Sequence, residues 1–212
     1  MLQTNQYLVV TPKGYIICND IRHTINSIKR GVHMEFIDVL DERRNKVGIV
    51  RNRELVYKNG DWHKTVHIWL INSKNELLIQ KRAKDKQTFP NLWAISIAGH
   101  VISGETSIEA ALREIKEEID VDVNPNDLKH IFTIKRIQEY KNGFLHVHDD
   151  VYLFKYDLDL YNTKIQKEEL TDIRFINYKE LEEKLINKDP SFVPFTEEHE
   201  NLFKYLKENI GD

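Results

Sequence analysis

The sequence contains few of the residues that define several protein classes. Its 212 residues include one cysteine, 8 glycines and 5 prolines. These counts exclude an internal disulfide, a collagen-like repeat and a disordered chain rich in proline and glycine. No apolar run approaches the roughly 20 residues of a membrane-spanning helix, and the N-terminus lacks the residue order of a signal peptide. We therefore expect a globular protein in the reducing cytoplasm, without a membrane span.

An excess of charge of one sign is also missing. Lys and Arg together number 31 and Asp and Glu 34, for a formal net charge of -3. This balance gives no bulk attraction for nucleic acid or for an anionic membrane surface. Hydrophobic residues make up 41% of the chain, which is enough for the buried core of one large domain. Because the chain as a whole does not attract anions, any site for an anionic ligand must depend on charge at one place on its surface.

Residues 1–33 differ from the rest of the chain and are interpreted as an N-terminal extension. Two β-rich stretches, 7–10 and 15–18, flank a Thr-Pro-Lys-Gly turn and predict a short hairpin. Isoleucines at helical spacing then predict a brief helix. The extension could cover a cleft, mediate formation of a homodimer, or do neither.

Residues 34–212 form the main predicted domain. Its predicted strands are 36–41, 65–71, 76–81, 94–98, 129–137, 144–158 and 172–176, and its predicted helices are 107–119, 179–187 and 197–209. The charged stretch before Asn59-Gly60-Asp61 is interpreted as irregular chain that ends in a turn. Because strands and helices are intermixed without internal repeats, the fold class is α/β or α+β.

Helix 107–119 carries the most informative pattern. At about 100° per residue, its aliphatic side chains form one apolar arc that we expect to be buried. Glu114, Glu117 and Glu118 fall on a neighbouring arc, because residues three and four apart lie side by side on a helix. Such like charges repel one another, and a hard divalent cation bound by carboxylate oxygens would compensate for the repulsion. A solvated acidic helix face is the alternative explanation.

A longer pattern of fixed spacing surrounds these glutamates. It comprises Gly99, Glu105, Arg113, Glu114, Ile115, Glu117, Glu118 and Val121. Together these residues resemble the signature of the Nudix hydrolases, Gx5Ex7REUxEExGU, where U is aliphatic. The final glycine of the signature is replaced by Asp120, a residue type that tolerates the left-handed backbone usual after a helix.

The resemblance implies a fold, a reaction and a set of site residues. The fold is an α/β/α sandwich with a mixed β-sheet. The reaction is hydrolysis of a phosphoanhydride bond in a nucleoside diphosphate derivative, or in a similar small diphosphate compound, with Mg²⁺ or Mn²⁺. The implied metal ligands are Glu117 and Glu118, together with Glu105, the Gly99 carbonyl and Glu114, which would be a further ligand or the base.

Two further roles follow from the same resemblance. Arg113 would orient the glutamates. The general base of the family is often a glutamate in a later loop, and Glu168 and Glu169 are the candidates here. The alternative is that both are solvated loop acids.

The loop before the signature has a second resemblance. Residues 80–93 with 96–100 are also similar to isopentenyl-diphosphate delta-isomerase, which shares the Nudix scaffold. This similarity implies that Arg82 and Lys86 hold a substrate diphosphate, a task suited to a forked guanidinium and a mobile ammonium.

Two residues that the isomerase needs are absent. Its catalytic cysteine is replaced by Ala98, and of its two metal histidines one matches His63 whereas the other falls near Val56 or Tyr57. The sequence therefore predicts an isomerase-like hydrolase. The alternatives are an isomerase and a nucleotide-sensing module without catalysis.

Histidines and aromatic residues near these segments have two interpretations each. His63, His67 and His100 could approach the site, but hydrogen-bonded structural histidines are the favoured interpretation. His146, His148 and Asp150 alternate along a strand and would share one face, which could bind a transition metal or remain a polar surface. The tryptophans Trp62, Trp69 and Trp93 could stack on a base or belong to the core.

Overall fold

The computed structural model describes residues 7–11, 14–18, 35–86, 88–140, 143–166 and 168–210. The strands are β1 (Tyr7–Thr11), β2 (Gly14–Cys18), β3 (Phe36–Leu40), β4 (Lys46–Asn52), β5 (Trp62–Ile71), β6 (Glu76–Arg82), β7 (Trp93–Ala94), β8 (Ile97–His100), β9 (Leu128–Tyr140), β10 (Gly143–Lys155) and β11 (Leu170–Asn177). The helices are α1 (Arg53–Asn59), α2 (Ser107–Ile119), α3 (Tyr178–Ile186) and α4 (Glu197–Asn209), and a 3-10 turn covers Pro125–Asp127. No helix of the described ranges has the length and apolar character to cross a membrane.

These elements form two compact units. Unit 1 comprises residues 1–65, 100–106 and 135–148, and unit 2 comprises residues 66–99, 107–134 and 149–212. In unit 1, β1 and β2 pair antiparallel, as the sequence predicts. The brief helix predicted after them lies outside the described residues, and the boundary between residues 33 and 34 stays a prediction.

Unit 1 also contains two elements that the sequence analysis missed. β4 pairs antiparallel with β3, and α1 follows β4 directly in the stretch interpreted as irregular. The side chain of Asn52 accepts a hydrogen bond from the Leu55 amide, and Gly60 ends α1 in the left-handed conformation, at φ 67°. An N-cap asparagine and a glycine after the last turn are sufficient to delimit a helix of two turns.

Unit 2 contains α2, α3 and α4 and much of the main sheet, whose strand order runs β11-β6-β5-β10-β9. Side chains alternate between the two faces of a strand. On β5, Trp69 and Ile71 therefore face the cluster formed with α3 and α4, whereas Ile68 and Leu70 point to the opposite face; all four are buried. Helices α3 and α4 form one outer layer and α2 the other, which confirms the predicted α/β/α sandwich with a mixed sheet.

The predicted strand 94–98 is wrong in its bounds, because the chain is interrupted at Ser96. The Ser96 hydroxyl donates to the Leu78 carbonyl (2.5 Å) and accepts from the Leu70 amide (3.0 Å). At residue 96, between β7 and β8, a side chain thus replaces main-chain pairing with β5 and β6. β8 begins after this interruption and extends to His100, two residues beyond the predicted end.

Candidate active site

Helix α2 has the predicted bounds, but its buried face is rotated from the predicted apolar arc, which comprises Ile108, Ala111, Leu112, Ile115 and Ile119. Ala110, Ala111, Ile115 and Ile119 are buried as an apolar stripe, whereas Leu112 remains partly exposed. The buried face instead includes Glu114 and Glu118, which are 9% and 3% exposed. Two of the three clustered glutamates therefore point into unit 2, and only Glu117 lies at the surface.

Gly99 makes room for one of these carboxylates. A Cβ atom built at residue 99 would lie 2.0 Å from Cδ and from Oε1 of Glu114. A side chain at residue 99 would therefore force the Glu114 carboxylate out of its present position. The absence of a side chain at residue 99 thus allows the Glu114 carboxylate to lie against β8.

One nitrogen of Arg113 donates hydrogen bonds to two of the glutamates. Its Nη1 donates to Oε1 of Glu114 at 2.6 Å and to Oε2 of Glu117 at 3.2 Å. Charge-assisted bonds of this kind fix the direction of a carboxylate more firmly than neutral ones. Arg113 is therefore bonded to two glutamates of its own helix.

Glu118 is the most unusual group of the site. Its Oε1 accepts a long hydrogen bond from the Ala98 amide (3.5 Å), and its buried Oε2 has no hydrogen-bond partner. Burial, and secondly the charge of Glu114, raise the pKa of Glu118 to about 8, against the smaller opposing effects of the Ala98 amide, Lys86 and Arg82. A buried acid without a partner is costly to the fold unless a cation approaches it.

The donor chemistry of this site fits a divalent cation, although the acids are not gathered as a ready-made site. Within the described ranges, no cluster of three or more His, Cys, Asp or Glu side chains could hold a metal ion; Glu114 and Glu117 accept hydrogen bonds from Arg113. Carboxylate oxygens are nevertheless the ligands that Mg²⁺ and Mn²⁺ prefer, and Glu118 offers an oxygen with no other partner. Glu105, a further expected ligand, belongs to unit 1, where it accepts a hydrogen bond from the Ile102 amide at 3.3 Å.

The start of α2 is fixed by a polar network that the sequence analysis missed. Asp150, 4% exposed, accepts hydrogen bonds from Ser107 Oγ and Thr133 Oγ1, both at 2.6 Å. The alternation of His146, His148 and Asp150 along the strand signalled a polar face, but not this helix-anchoring role.

The basic loop contains the two cations expected to bind a diphosphate. Arg82 donates through Nε to the Thr88 carbonyl (2.9 Å) and through Nη2 to Thr88 Oγ1 (3.2 Å). Its guanidinium group is therefore hydrogen-bonded to its own loop. Burial lowers the pKa of Arg82, against the opposing charge of Glu118. Lys86 forms an ion pair with Glu169.

The two candidate glutamates of the later loop have different surroundings. Glu169 reaches the basic loop through this ion pair, whereas Glu168 is exposed and forms no ion pair with another described residue. Sequence spacing does not distinguish adjacent residues of a turn, so this difference emerges only in three dimensions.

The histidines of β5 and β8 have structural partners. In unit 2, His67 Nδ1 lies 2.7 Å from Glu198 Oε2. In unit 1, His100 Nε2 lies 3.0 Å from the Tyr57 hydroxyl and Nδ1 lies 3.2 Å from Glu35 Oε2, and His63 Nδ1 lies 3.1 Å from the Asp61 carbonyl.

The aromatic residues are mostly committed to packing as well. Trp69 and Trp93 are buried. In unit 1, Trp62 stacks on His146 and His148, with ring centroids 5.0 and 4.8 Å apart. These contacts fit a structural role for the three rings.

Comparisons with known proteins extend these observations. Residues 61–196 match the model of the NUDIX domain. An uncharacterised Nudix hydrolase of Listeria monocytogenes is 35% identical over 162 residues, which cover 76% of this chain and 90% of that protein. Nudix hydrolase 3 of Arabidopsis thaliana is 33% identical over 181 residues, covering 82% of this chain, which spans only 23% of that longer protein.

A relative with another activity and a solved structure also match. Isopentenyl-diphosphate Delta-isomerase 1 of Photorhabdus laumondii is 30% identical over 164 residues, covering 76% of this chain and 90% of that protein. The crystal structure of DR0079 from Deinococcus radiodurans aligns with a TM-score of 0.63 at 22% identity, over 80% of this chain and 98% of that one. The second match concerns the fold alone.

Proposed function

The chain belongs to the Nudix hydrolase family, and from this membership we propose that it cleaves a phosphoanhydride bond in a small diphosphate compound. A nucleoside diphosphate derivative is the favoured substrate class, Mg²⁺ or Mn²⁺ the cofactor and the cytoplasm the compartment. The relatives establish hydrolase membership, and the substrate and the metal are our proposal.

One observation carries this proposal, namely the unpartnered Oε2 of buried Glu118. A fold tolerates such a group where a ligand completes it. The neighbouring Glu114 is seated over Gly99, and Lys86 and Arg82 act electrostatically on Glu118. Acidic side chains suited to a cation and basic side chains suited to phosphate groups thus occur together in unit 2.

The reaction that these residues support is attack of water on phosphorus. A new oxygen–phosphorus bond forms, the bond to the bridging oxygen breaks, and the proton of the water passes to a carboxylate. When bound, the divalent cation supplies positive charge that polarises phosphoryl oxygens and acidifies a water. We assign Lys86 and Arg82 to the diphosphate, Arg113 to orientation of the glutamates, and Glu168 or Glu169 to the role of base.

A substrate screen tests the proposal. We expect the protein, with Mg²⁺ or Mn²⁺, to hydrolyse at least one compound among nucleoside diphosphates, diphosphate sugars, dinucleotides and capped nucleosides. Glu118→Gln should lower kcat/KM by about 100-fold or more, since the loss of a ligand removes charge stabilisation of the transition state.

Glu109→Gln is the matched control. Residue 109 is an exposed acid on the same helix, and glutamine preserves a capping-box pattern, so activity should remain within about twofold of the parent by the same kinetic measure. No turnover of any compound, or full activity in Glu118→Gln, would refute the catalytic assignment.

Isoprenoid isomerisation is the second candidate, favoured by the 30% identity to an isomerase. Residue 98 supplies a methyl group where that chemistry needs an acid such as a thiol. Incubation with isopentenyl diphosphate in deuterated water should therefore give no incorporation of deuterium into carbon, whereas incorporation would favour the isomerase. A nucleotide sensor would instead bind its ligand tightly without releasing product.

A further inference from the structure

The cation assigned to the substrate is already paired within the protein. The Lys86 ammonium contacts Oε2 of Glu169, and the two side chains are 24% and 42% exposed. A phosphate group that bound Lys86 would have to replace this carboxylate. The ion pair is therefore an internal competitor at the candidate phosphate site.

The position of Glu169 is fixed by its main chain rather than by the ion pair. Its carbonyl accepts from the Ala83 amide (3.0 Å), and its amide donates to the Gln166 carbonyl (2.9 Å). The Gln166 amide in turn donates to the carbonyl of Glu118 (3.2 Å). The turn that bears Glu169 thus connects the end of α2 with the basic loop.

A carboxylate that the main chain holds in contact with a lysine competes strongly with other anions for that ammonium group. Tethering gives a group an effective concentration in the millimolar range or above, so it rebinds as soon as a weak ligand leaves. Lys86 lies close enough to Glu118 for its charge to lower the pKa of that acid. The competition therefore takes place beside the candidate active site.

We infer that Glu169 competes with phosphate groups for Lys86, in an inhibitory contact that opens when a diphosphate binds and closes as the products leave. The inference rests on the proposed function and adds a determinant of ligand affinity to it. The carboxylate raises the dissociation constants of substrate and products alike. The more highly charged diphosphate tolerates this competition, whereas singly phosphorylated products are held weakly.

Binding calorimetry on the full chain tests the inference with inorganic pyrophosphate and inorganic phosphate as probes, in metal-free buffer. Glu169→Gln should bind each probe about three- to fivefold more tightly than the parent, as expected from the strength of partly exposed ion pairs. One control, Asp172→Asn, should bind as the parent does, because it removes an exposed acid of β11 that does not contact Lys86.

A double-mutant cycle separates this pairwise contact from a change in total charge. Lys86→Ala should weaken binding of both probes, and Glu169→Gln should bring no gain in the Lys86→Ala background. An unchanged or weaker affinity in Glu169→Gln, a gain that persists without Lys86, or no binding of pyrophosphate to the parent would each overturn the inference. Pyrophosphate binding without turnover of any substrate would contradict the proposed function alone.

Discussion

Gly99 contributes to the site because it has no side chain. In Gly99→Ala the new Cβ would collide with the Glu114 carboxylate, the movable end of a side chain, so the carboxylate should turn away while the fold is kept. We expect Mn²⁺ to bind at least about tenfold more weakly, in line with the loss of one ligand's orientation, with a cost of about 1–3 kcal/mol in the free energy of unfolding. Calorimetric Mn²⁺ titration and urea unfolding measure the two effects.

The double variant Gly99→Ala/Glu114→Ala is the control for this collision. A shorter side chain at residue 114 removes the clash, so stability should recover relative to Gly99→Ala while Mn²⁺ affinity should not. Recovery of both, or of neither, would contradict the steric relation between the two residues.

In the absence of metal, Glu118 makes the free energy of unfolding depend on pH, and the direction of its pKa shift sets the sign. Its pKa is about 8 in the folded state, raised by burial from a usual value of 4.5, so between these values the folded state holds a proton that the unfolded state has lost. The stability present at low pH is therefore lost as the pH rises toward 8. Urea unfolding in chelator from pH 5 to pH 8 should show a steeper decline for the parent than for Glu118→Gln. Parallel curves would show that the carboxyl is not perturbed.

At the scale of elements, α2 depends on the anchor at its first turn. Ser107→Ala removes one of the two hydroxyl donors to buried Asp150. We expect a loss of about 1–3 kcal/mol in the free energy of unfolding, measured in urea, because a buried carboxylate loses a hydrogen bond. Ser191→Ala is the matched control, since its hydroxyl donates to Asp189 over the same 2.6 Å but at an exposed site. Equal losses in both variants would argue against the buried anchor.

Some elements could be predicted to the residue and others could not. Helices α2 and α4 have the predicted bounds because each repeats apolar residues at helical spacing. Helix α1 was missed because it is only two turns long and highly charged, so that its caps, Asn52 and Gly60, were its clearest signal. Ser96 interrupted a predicted strand through bonds to residues distant in sequence, which no local pattern reports.

The candidate site, too, could be predicted from the sequence only in part. Spacing alone placed three glutamates on one helix and a basic loop before them. Spacing does not reveal that Glu118 is buried without a partner for Oε2, or that Glu169 rather than Glu168 contacts Lys86. Those facts depend on how α2, the basic loop and the later turn pack in unit 2.

At the scale of the whole molecule, ligand binding and stability are coupled. A cation that binds only the folded state stabilises it by about 2.7 kcal/mol at a hundred times its dissociation constant. For a chain of 212 residues, this corresponds to a rise of roughly 5–10 °C in Tm. We therefore expect saturating Mg²⁺ or Mn²⁺ to raise Tm by this amount and chelator to reverse the rise. Glu118→Gln should lose most of the shift and Glu109→Gln should keep it. An equal shift in both variants would place the cation away from Glu118, because only this one of the two side chains is buried and is a proposed ligand.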